Sequence, residues 1–277
     1  MAKFILPIVI FIVLAGLVFS ISRQFKAQDP QNNTVATPPP PEKIPLGEYT
    51  IPKIAADENY SISFVGDSMT AALGPNCDKL ALFLNESYPG KVFGFNNYSI
   101  AASNVLSLDQ RLTESTDITE RVLPPILETD FDVIFIESFA HNPLSQYPLE
   151  EGLQKQNQQL EITVNKLIKA KPDSQIVFLA TIGPSTTEYA KNVVDLSPEA
   201  RLAWANERIA YLQNHIKFAN DHKIPLVNVY EKSKDPAGEV DIKYVNPSDY
   251  IHPSKEGVEL ISREIFNFLI ENQILPR

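Results

Sequence analysis

Beyond Tyr60 the chain alternates short apolar runs with longer segments whose apolar residues recur every three or four positions. The runs Ser61 to Val65, Lys91 to Tyr98, Asp132 to Glu137, Gln175 to Thr181 and Pro225 to Val229 are rich in Val, Ile and Phe. Each is largely apolar rather than strictly alternating, as strands are when both faces of a sheet are covered. Between them, Cys77 to Ser87, Asn104 to Thr113, Glu150 to Ala170, Pro198 to Asp221 and Ser254 to Asn272 read as helices. In the last of these, Val258, Ile261, Ile265 and Phe268 or Leu269 form one stripe, and Pro253-Ser254 with Glu256 signals the start. Strand and helix in alternation predict an α/β fold with a five-stranded, mainly parallel, doubly wound sheet.

The first 59 residues follow a different pattern. Phe4 to Ile21 is apolar apart from Ser20, and eighteen helical residues nearly match the hydrocarbon thickness of a bilayer. Residues 1–26 therefore read as a membrane-inserted helix, either a retained anchor stopped by Arg23 and Lys26 or a signal cleaved near Ala15 or Ser20. Residues 27–59 are Pro-rich and polar. Pro38 to Pro41 favours an extended spacer, so this segment reads as a linker to a body spanning residues 60–277. An N-terminal, signal-like anchor places that body outside the cytoplasm, or has it secreted if the segment is cleaved.

Composition narrows the partners. The formal net charge is -10, and residues 1–26 carry three basic and no acidic side chains, so the remainder stands at -13. Such a body repels phosphate backbones, which argues against nucleic acid as a partner. Cys77 is the single cysteine, which excludes an intramolecular disulfide and a cysteine-clustered zinc site. It reads as a small buried hydrophobe. His215 and His222, seven apart on one helix, are about 10 Å apart along its axis, too far for one metal ion, and read as surface residues. Trp204 and Tyr211 fit core or flank packing, and Glu137 a buried, paired carboxylate.

The chemistry gathers at strand ends. The first strand stops abruptly in Gly66-Asp67-Ser68-Met69, and far downstream comes Asp249-Tyr250-Ile251-His252-Pro253, just before the last helix. In an open parallel sheet, ligands bind outside the carboxyl ends of the strands, so these segments and the loop Ser138 to Pro143 converge on one rim. A serine hydroxyl is a poor nucleophile until a base takes its proton, and an imidazole held by a carboxylate suits that task.

These two blocks, in this order and at opposite ends of such a pattern, resemble the SGNH or GDSL-type family of lipases, esterases and acylhydrolases. The resemblance covers about Tyr60 to the C-terminus. It implies a three-layer α/β/α sandwich of SGNH hydrolase-like, flavodoxin-like type, and a serine ester hydrolase that works without cofactor or metal. It also implies Ser68 as nucleophile, His252 as general base and Asp249 as the group that orients it. The oxyanion hole would comprise the Ser68 and Ala102 backbone N–H groups and the Asn142 side chain.

Two blocks depart from the family. Ala102 stands where a glycine is expected in Asn97-Tyr98-Ser99-Ile100-Ala101-Ala102, with Ser99 or Ala101 there under a shifted alignment, and alanine keeps the N–H donor but restricts positive φ. Phe139-Ala140-His141-Asn142 stands where Gly-x-Asn-Asp is usual. Without a gap His141 falls on the family's asparagine, and a one-residue shift restores Asn142. Asn142 is preferred because an amide donates without titrating, while His141 is an alternative donor, a substrate contact or an exposed loop residue. The expected substrates are acyl or acetyl esters, small or carried on cell-surface glycans. An acyltransferase to a glycan hydroxyl and a non-catalytic tethered binding domain are the alternatives, and oligomeric state is left open. The loops Gly183 to Leu196 and Asp235 to Pro247 are expected to shape the cleft.

Overall fold

The computed structural model describes residue 46 and residues 49–118 and 121–277. The segment 1–26, read above as membrane-inserted, and the part of the expected linker up to residue 45 lie outside the described residues. No helix among the described residues is long and apolar enough to cross a membrane.

Strand β1 (Asn59–Val65) leads into a one-turn helix α1 (Ser68–Ala71), then α2 (Asp78–Ser87) and β2 (Val92–Asn97). After a 3-10 turn at Val105–Ser107 come α3 (Leu108–Thr113) and an antiparallel pair, β3 (Thr116–Ile118) with β4 (Arg121–Leu123). The chain continues through β5 (Val133–Glu137), α4 (Leu149–Ala170), β6 (Gln175–Ala180), α5 (Pro198–Asp221), β7 (Leu226–Asn228), α6 (Val229–Lys232) and α7 (Lys255–Glu271). Five strands form one sheet in the order β2-β1-β5-β6-β7, parallel at every pairing. The winding direction reverses between β1 and β5, so a crevice opens at their carboxyl ends.

Successive strand residues face opposite ways, and here both faces are covered. Ile62, Phe64, Phe135, Val177 and Leu179 pack with Leu80 and Leu84 of α2 and with Ile261, Ile265 and Leu269 of α7. On the other face Ile134, Ile136, Phe178 and Ala180 pack with Leu160, Val164 and Leu167 of α4 and with Tyr211, Leu212 and Phe218 of α5. This double burial is why β5 and β6 are buried at every position and read as continuous apolar runs. The Phe64 and Phe135 rings stack with centroids 5.0 Å apart, knitting the two central strands together.

Local signals set the helix ends. Ser197 caps α5 by accepting from the Ala200 N–H, with Pro198 in the first turn, and Ser254 caps α7 by accepting from the Gly257 N–H. Three features differ from the sequence reading. The β3–β4 pair was not expected, because strands of three residues are too short to show a period. Part of the segment read as linker packs onto the body: Ile54 is buried, and the Tyr49 hydroxyl accepts from the Ile176 N–H at 2.8 Å. Burial pushes that hydroxyl up to about 12. Finally, His215 is not a surface residue. It is fully buried and stacks on Phe178 at 4.3 Å, and burial pulls its pKa down to about 3. His222, at the end of α5, is half-buried against Phe218.

Candidate active site

Ser68 is the first residue of α1, directly after the turn that ends β1. Gly66 makes that turn possible: a Cβ there would meet Glu137 Cβ and Thr70 Oγ1 at 2.8 Å each. Asp67 caps α1, its Oδ1 accepting from the Met69 N–H at 2.8 Å. The Ser68 N–H, at the open end of this helix, has no acceptor among the described residues. Ser68 itself is half-buried.

The base and its orienting group form a closed turn. Asp249 Oδ1 accepts from the N–H groups of Ile251 at 2.8 Å and His252 at 3.0 Å, and Oδ2 pairs with His252 Nδ1 at 2.8 Å. Burial pushes the Asp249 carboxyl up, but the bonds from the His252 ring and the two N–H groups outweigh it and hold the carboxyl below its usual range. A carboxylate only accepts, so Nδ1 carries the proton and Nε2 keeps a free lone pair. Tyr250, between them, has φ +56°, a left-handed residue that lets the turn close.

The oxyanion candidates are sorted by the same geometry. Ala102 has φ +57°, the region that favours glycine, and its N–H has no acceptor among the described residues. The alanine thus takes the backbone conformation of the glycine expected there, at a cost of order 1 kcal/mol or more. Asn142 is half-buried and donates through Nδ2 to Asp67 Oδ2 at 2.9 Å, which leaves its second N–H free. His141 does not fit an exposed loop residue, since it is only 5% exposed. Its Nε2 lies 2.9 Å from the Ile182 carbonyl, which only accepts, so Nε2 carries the proton. Burial lowers the pKa of this ring, so it stays neutral and Nδ1 is an acceptor. His141 therefore cannot serve as the alternative oxyanion donor through Nδ1.

Electrostatics shows that the distant segments share one neighbourhood. His141 feels the charges of Asp67, Arg208 and His252, and Tyr189 those of Arg208, Asp67 and Asp249. The loop carrying Tyr189 holds the Asp249 turn directly. The Ala190 N–H donates to Tyr250 O at 3.2 Å, and Asn192 Nδ2 donates to Pro247 O at 2.8 Å.

Beneath the rim lies a buried polar group that sequence only half revealed. Glu137 is fully buried and accepts from the Asp67 N–H at 3.0 Å, the Ser138 hydroxyl at 2.7 Å and the Phe139 N–H at 2.9 Å. Burial and the neighbouring Asp67 charge raise its pKa well above the usual range, so it holds its proton. Arg111, 3% exposed, donates to the carbonyls of Gly66 at 2.7 Å and Tyr98 at 3.1 Å. Burial lowers its pKa to about 10, while Asp67 and Glu137 act against that drop, and it remains the positive member of the group. Arg111 escaped notice because a lone arginine between Leu108 and Leu112 reads as the polar edge of a helix. Its place on the buried stripe was the available signal.

Among the described residues no cluster of three His, Cys, Asp or Glu side chains is arranged to hold a metal ion. Cys77 is buried, and burial raises its thiol to about 12, so it is inert.

No family model matches the sequence, and no curated protein matches it. Solved structures do match in fold. A lipase/acylhydrolase from Enterococcus faecalis aligns with a TM-score of 0.56 at 14% identity, covering 79% of this chain and 98% of that one. A catalytic mutant of an acetylxylan esterase from Geobacillus stearothermophilus aligns at 0.54 and 17% identity, over 78% and 96%. A GDSL-like lipase from Bacteroides thetaiotaomicron aligns at 0.51 and 14%, over 76% and 88%. The body of this chain has the SGNH hydrolase fold.

Proposed function

We propose that this protein is a serine ester hydrolase that cleaves acyl esters through an acyl-serine intermediate. The observation that carries the reading is the 2.8 Å bond from His252 Nδ1 to Asp249 Oδ2, which leaves Nε2 as a base on the rim where Ser68 opens a helix. Ser68 Oγ attacks the ester carbonyl carbon while Nε2 takes its proton, and the carbonyl oxygen becomes an oxyanion. The N–H groups of Ser68 and Ala102 and the free amide N–H of Asn142 are the donors for that charge. The intermediate collapses as His252 returns the proton to the leaving alcohol. Water, deprotonated by the same nitrogen, then releases the acyl group and regenerates Ser68. Asp249 orients the ring and stabilises the imidazolium throughout.

Short acyl esters on envelope glycans are the natural substrates in this reading. What supports it is the apolar run Phe4 to Ile21 followed by a Pro-rich spacer, which would tether the site outside the cytoplasm. The test is labelling of the full chain by a fluorophosphonate probe together with hydrolysis of p-nitrophenyl acetate. Both are expected in the wild type and lost in Ser68→Ala. A folded wild type that neither labels nor hydrolyses overturns the reading.

A further inference from the structure

The turn that carries Asp249 and His252 closes on itself. Besides the bonds to Asp249, the Asn246 carbonyl accepts from the Tyr250 N–H and the Asn246 N–H donates to the His252 carbonyl, each at 2.8 Å. These bonds fix the shape of the pair but not its distance from Ser68, which sits far back in the chain. At its carboxyl side the turn is tied to α7 through the Ser254 cap and to Val245 through a bridge with Pro253. Its tip is tied to the loop after β6, where the Ala190 N–H donates to Tyr250 O at 3.2 Å and Ile251 packs against Tyr189, Ala190 and Ala205.

We propose that Tyr189 is a positioning residue for the base, gripped by Arg201 and Arg208 of α5 so that the tip of the turn is held where His252 Nε2 meets Ser68. The inference rests on the hydrolase reading and adds the residues that set the reach of its base.

The grip comes from one face of one helix. Arg201, Ala205 and Arg208 are spaced four and three apart, which puts them on a single stripe of α5. Arg201 is buried and donates through Nη1 to Tyr189 O and through Nη2 to Leu196 O at 3.3 Å. Arg208 donates through Nε to the Tyr189 hydroxyl at 2.7 Å, and its guanidinium lies over the Tyr189 ring, 4.8 Å from the centroid. Tyr189 is thus held by its carbonyl, its ring and its hydroxyl. Charge-assisted bonds fix direction, where apolar contact alone would fix only distance.

The height of the stripe is set by the sheet. His215 stacks on Phe178, near the end of β6, and Arg208 lies seven residues earlier, about 10 Å along the helix axis. That carries Arg208 past the strand ends, to the level of the rim. There the Tyr189 ring also stands 5.8 Å from the ring of His141, which donates to Ile182 O at the foot of the same loop. Tyr189 therefore lies between the turn of the base and the loop that carries Asn142. Ala190, the next residue, holds φ +57°, a left-handed conformation that aims its N–H at Tyr250 O and persists only where the surroundings enforce it.

The test follows Tyr189→Phe, which removes only the hydroxyl that Arg208 holds, and Arg208→Gln. Both are measured in the full chain on p-nitrophenyl acetate, at a temperature where urea unfolding shows each variant folded. Each is expected to lower kcat at least about fivefold with KM nearly constant, since displacing the base acts on the chemical step. The acid limb of kcat/KM against pH is expected to stay in place in Tyr189→Phe, because the Asp249 and His252 pair is closed inside its own turn and no charge is lost. The double variant is expected to match Arg208→Gln, because both changes break one bond. Lys217→Gln, which removes a positive charge farther along α5, is expected to keep kcat. If Arg208→Gln does not fold, Tyr189→Phe still reads the bond. A fall in kcat below about fivefold in Tyr189→Phe, a loss that lands on KM or moves the acid limb, additive losses in the double variant, or an equal loss in Lys217→Gln overturns the positioning role. In any of those cases fluorophosphonate labelling of the wild type leaves the hydrolase reading standing, whereas absent labelling fails that reading itself.

Discussion

Asn142 Nδ2 donates to Asp67 Oδ2 across 2.9 Å, joining the loop after β5 to the residue that precedes the proposed nucleophile. One carboxylate thereby does two positioning jobs, since its other oxygen caps the helix that Ser68 opens. Asn142→Ala is expected to lower kcat by about 10²-fold or more with little change in KM, as loss of an oxyanion donor does. In Asp67→Asn the new amide can either keep the cap or face Asn142 with an oxygen. A fall in kcat of at least about tenfold is expected, with KM again nearly constant. Steady-state kinetics on p-nitrophenyl acetate separate these outcomes from a simple loss of binding.

Ala102 holds φ +57° where glycine would rest without strain. Ala102→Gly is expected to keep activity and to raise stability by up to about 1 kcal/mol, since the relief of the left-handed conformation exceeds the added chain entropy. Ala102→Val, β-branched in the same region, is expected to lose both stability and kcat. Chemical denaturation with parallel rate measurements decides, and a less stable glycine variant would show that the alanine is not strained.

Arg111 links the carbonyls of Gly66 and Tyr98 and offsets the nearby charge of Asp67. Arg111→Met is expected to destabilise the fold by about 3–5 kcal/mol, because it strands a buried charge and leaves the two carbonyls unmatched. Urea unfolding measures it, and a cost below 1 kcal/mol would mean the network is dispensable.

His215 gives the acid limb a defined sign. Its folded pKa, about 3, lies below the unfolded value near 6.5, so between those values the unfolded chain binds the extra proton. Stability from this group is fully present above about pH 6.5 and is lost as the pH falls towards 3, with a slope of up to about 1.4 kcal/mol per pH unit. His215→Phe, stacked in the same place on Phe178, is expected to flatten that limb. Thermal melts of both proteins from pH 4 to 7.5 would show it, and parallel curves would refute it.

How much was legible in the sequence differs from element to element. Helix α5 runs from Pro198 to Asp221, the range read from the sequence, because a long stretch free of internal breakers follows the start signal Ser197-Pro198. The β3–β4 pair, with three residues a strand, has too little pattern to register. Among site residues, Asp249 and His252 lie three apart in one turn, so their pairing is nearly local and was readable. The contact of Asn142 with Asp67 spans 75 positions, and that of Arg111 with Gly66 spans 45. Nothing in either short motif announces such a contact.

By itself the sequence determined the alternation of strands and helices and the residue types at strand ends, because periodicity, capping and turn chemistry act over a few neighbouring residues. Only the tertiary structure decided which of those polar groups meet. It bonded Asn142 to Asp67 and His141 to the Ile182 carbonyl, buried His215 against Phe178, and gathered Glu137 and Arg111 under the rim. The physical reason is that a partner for a buried polar group is chosen by the sheet order and by which side of a strand each residue faces, and both depend on pairings between segments far apart in the chain.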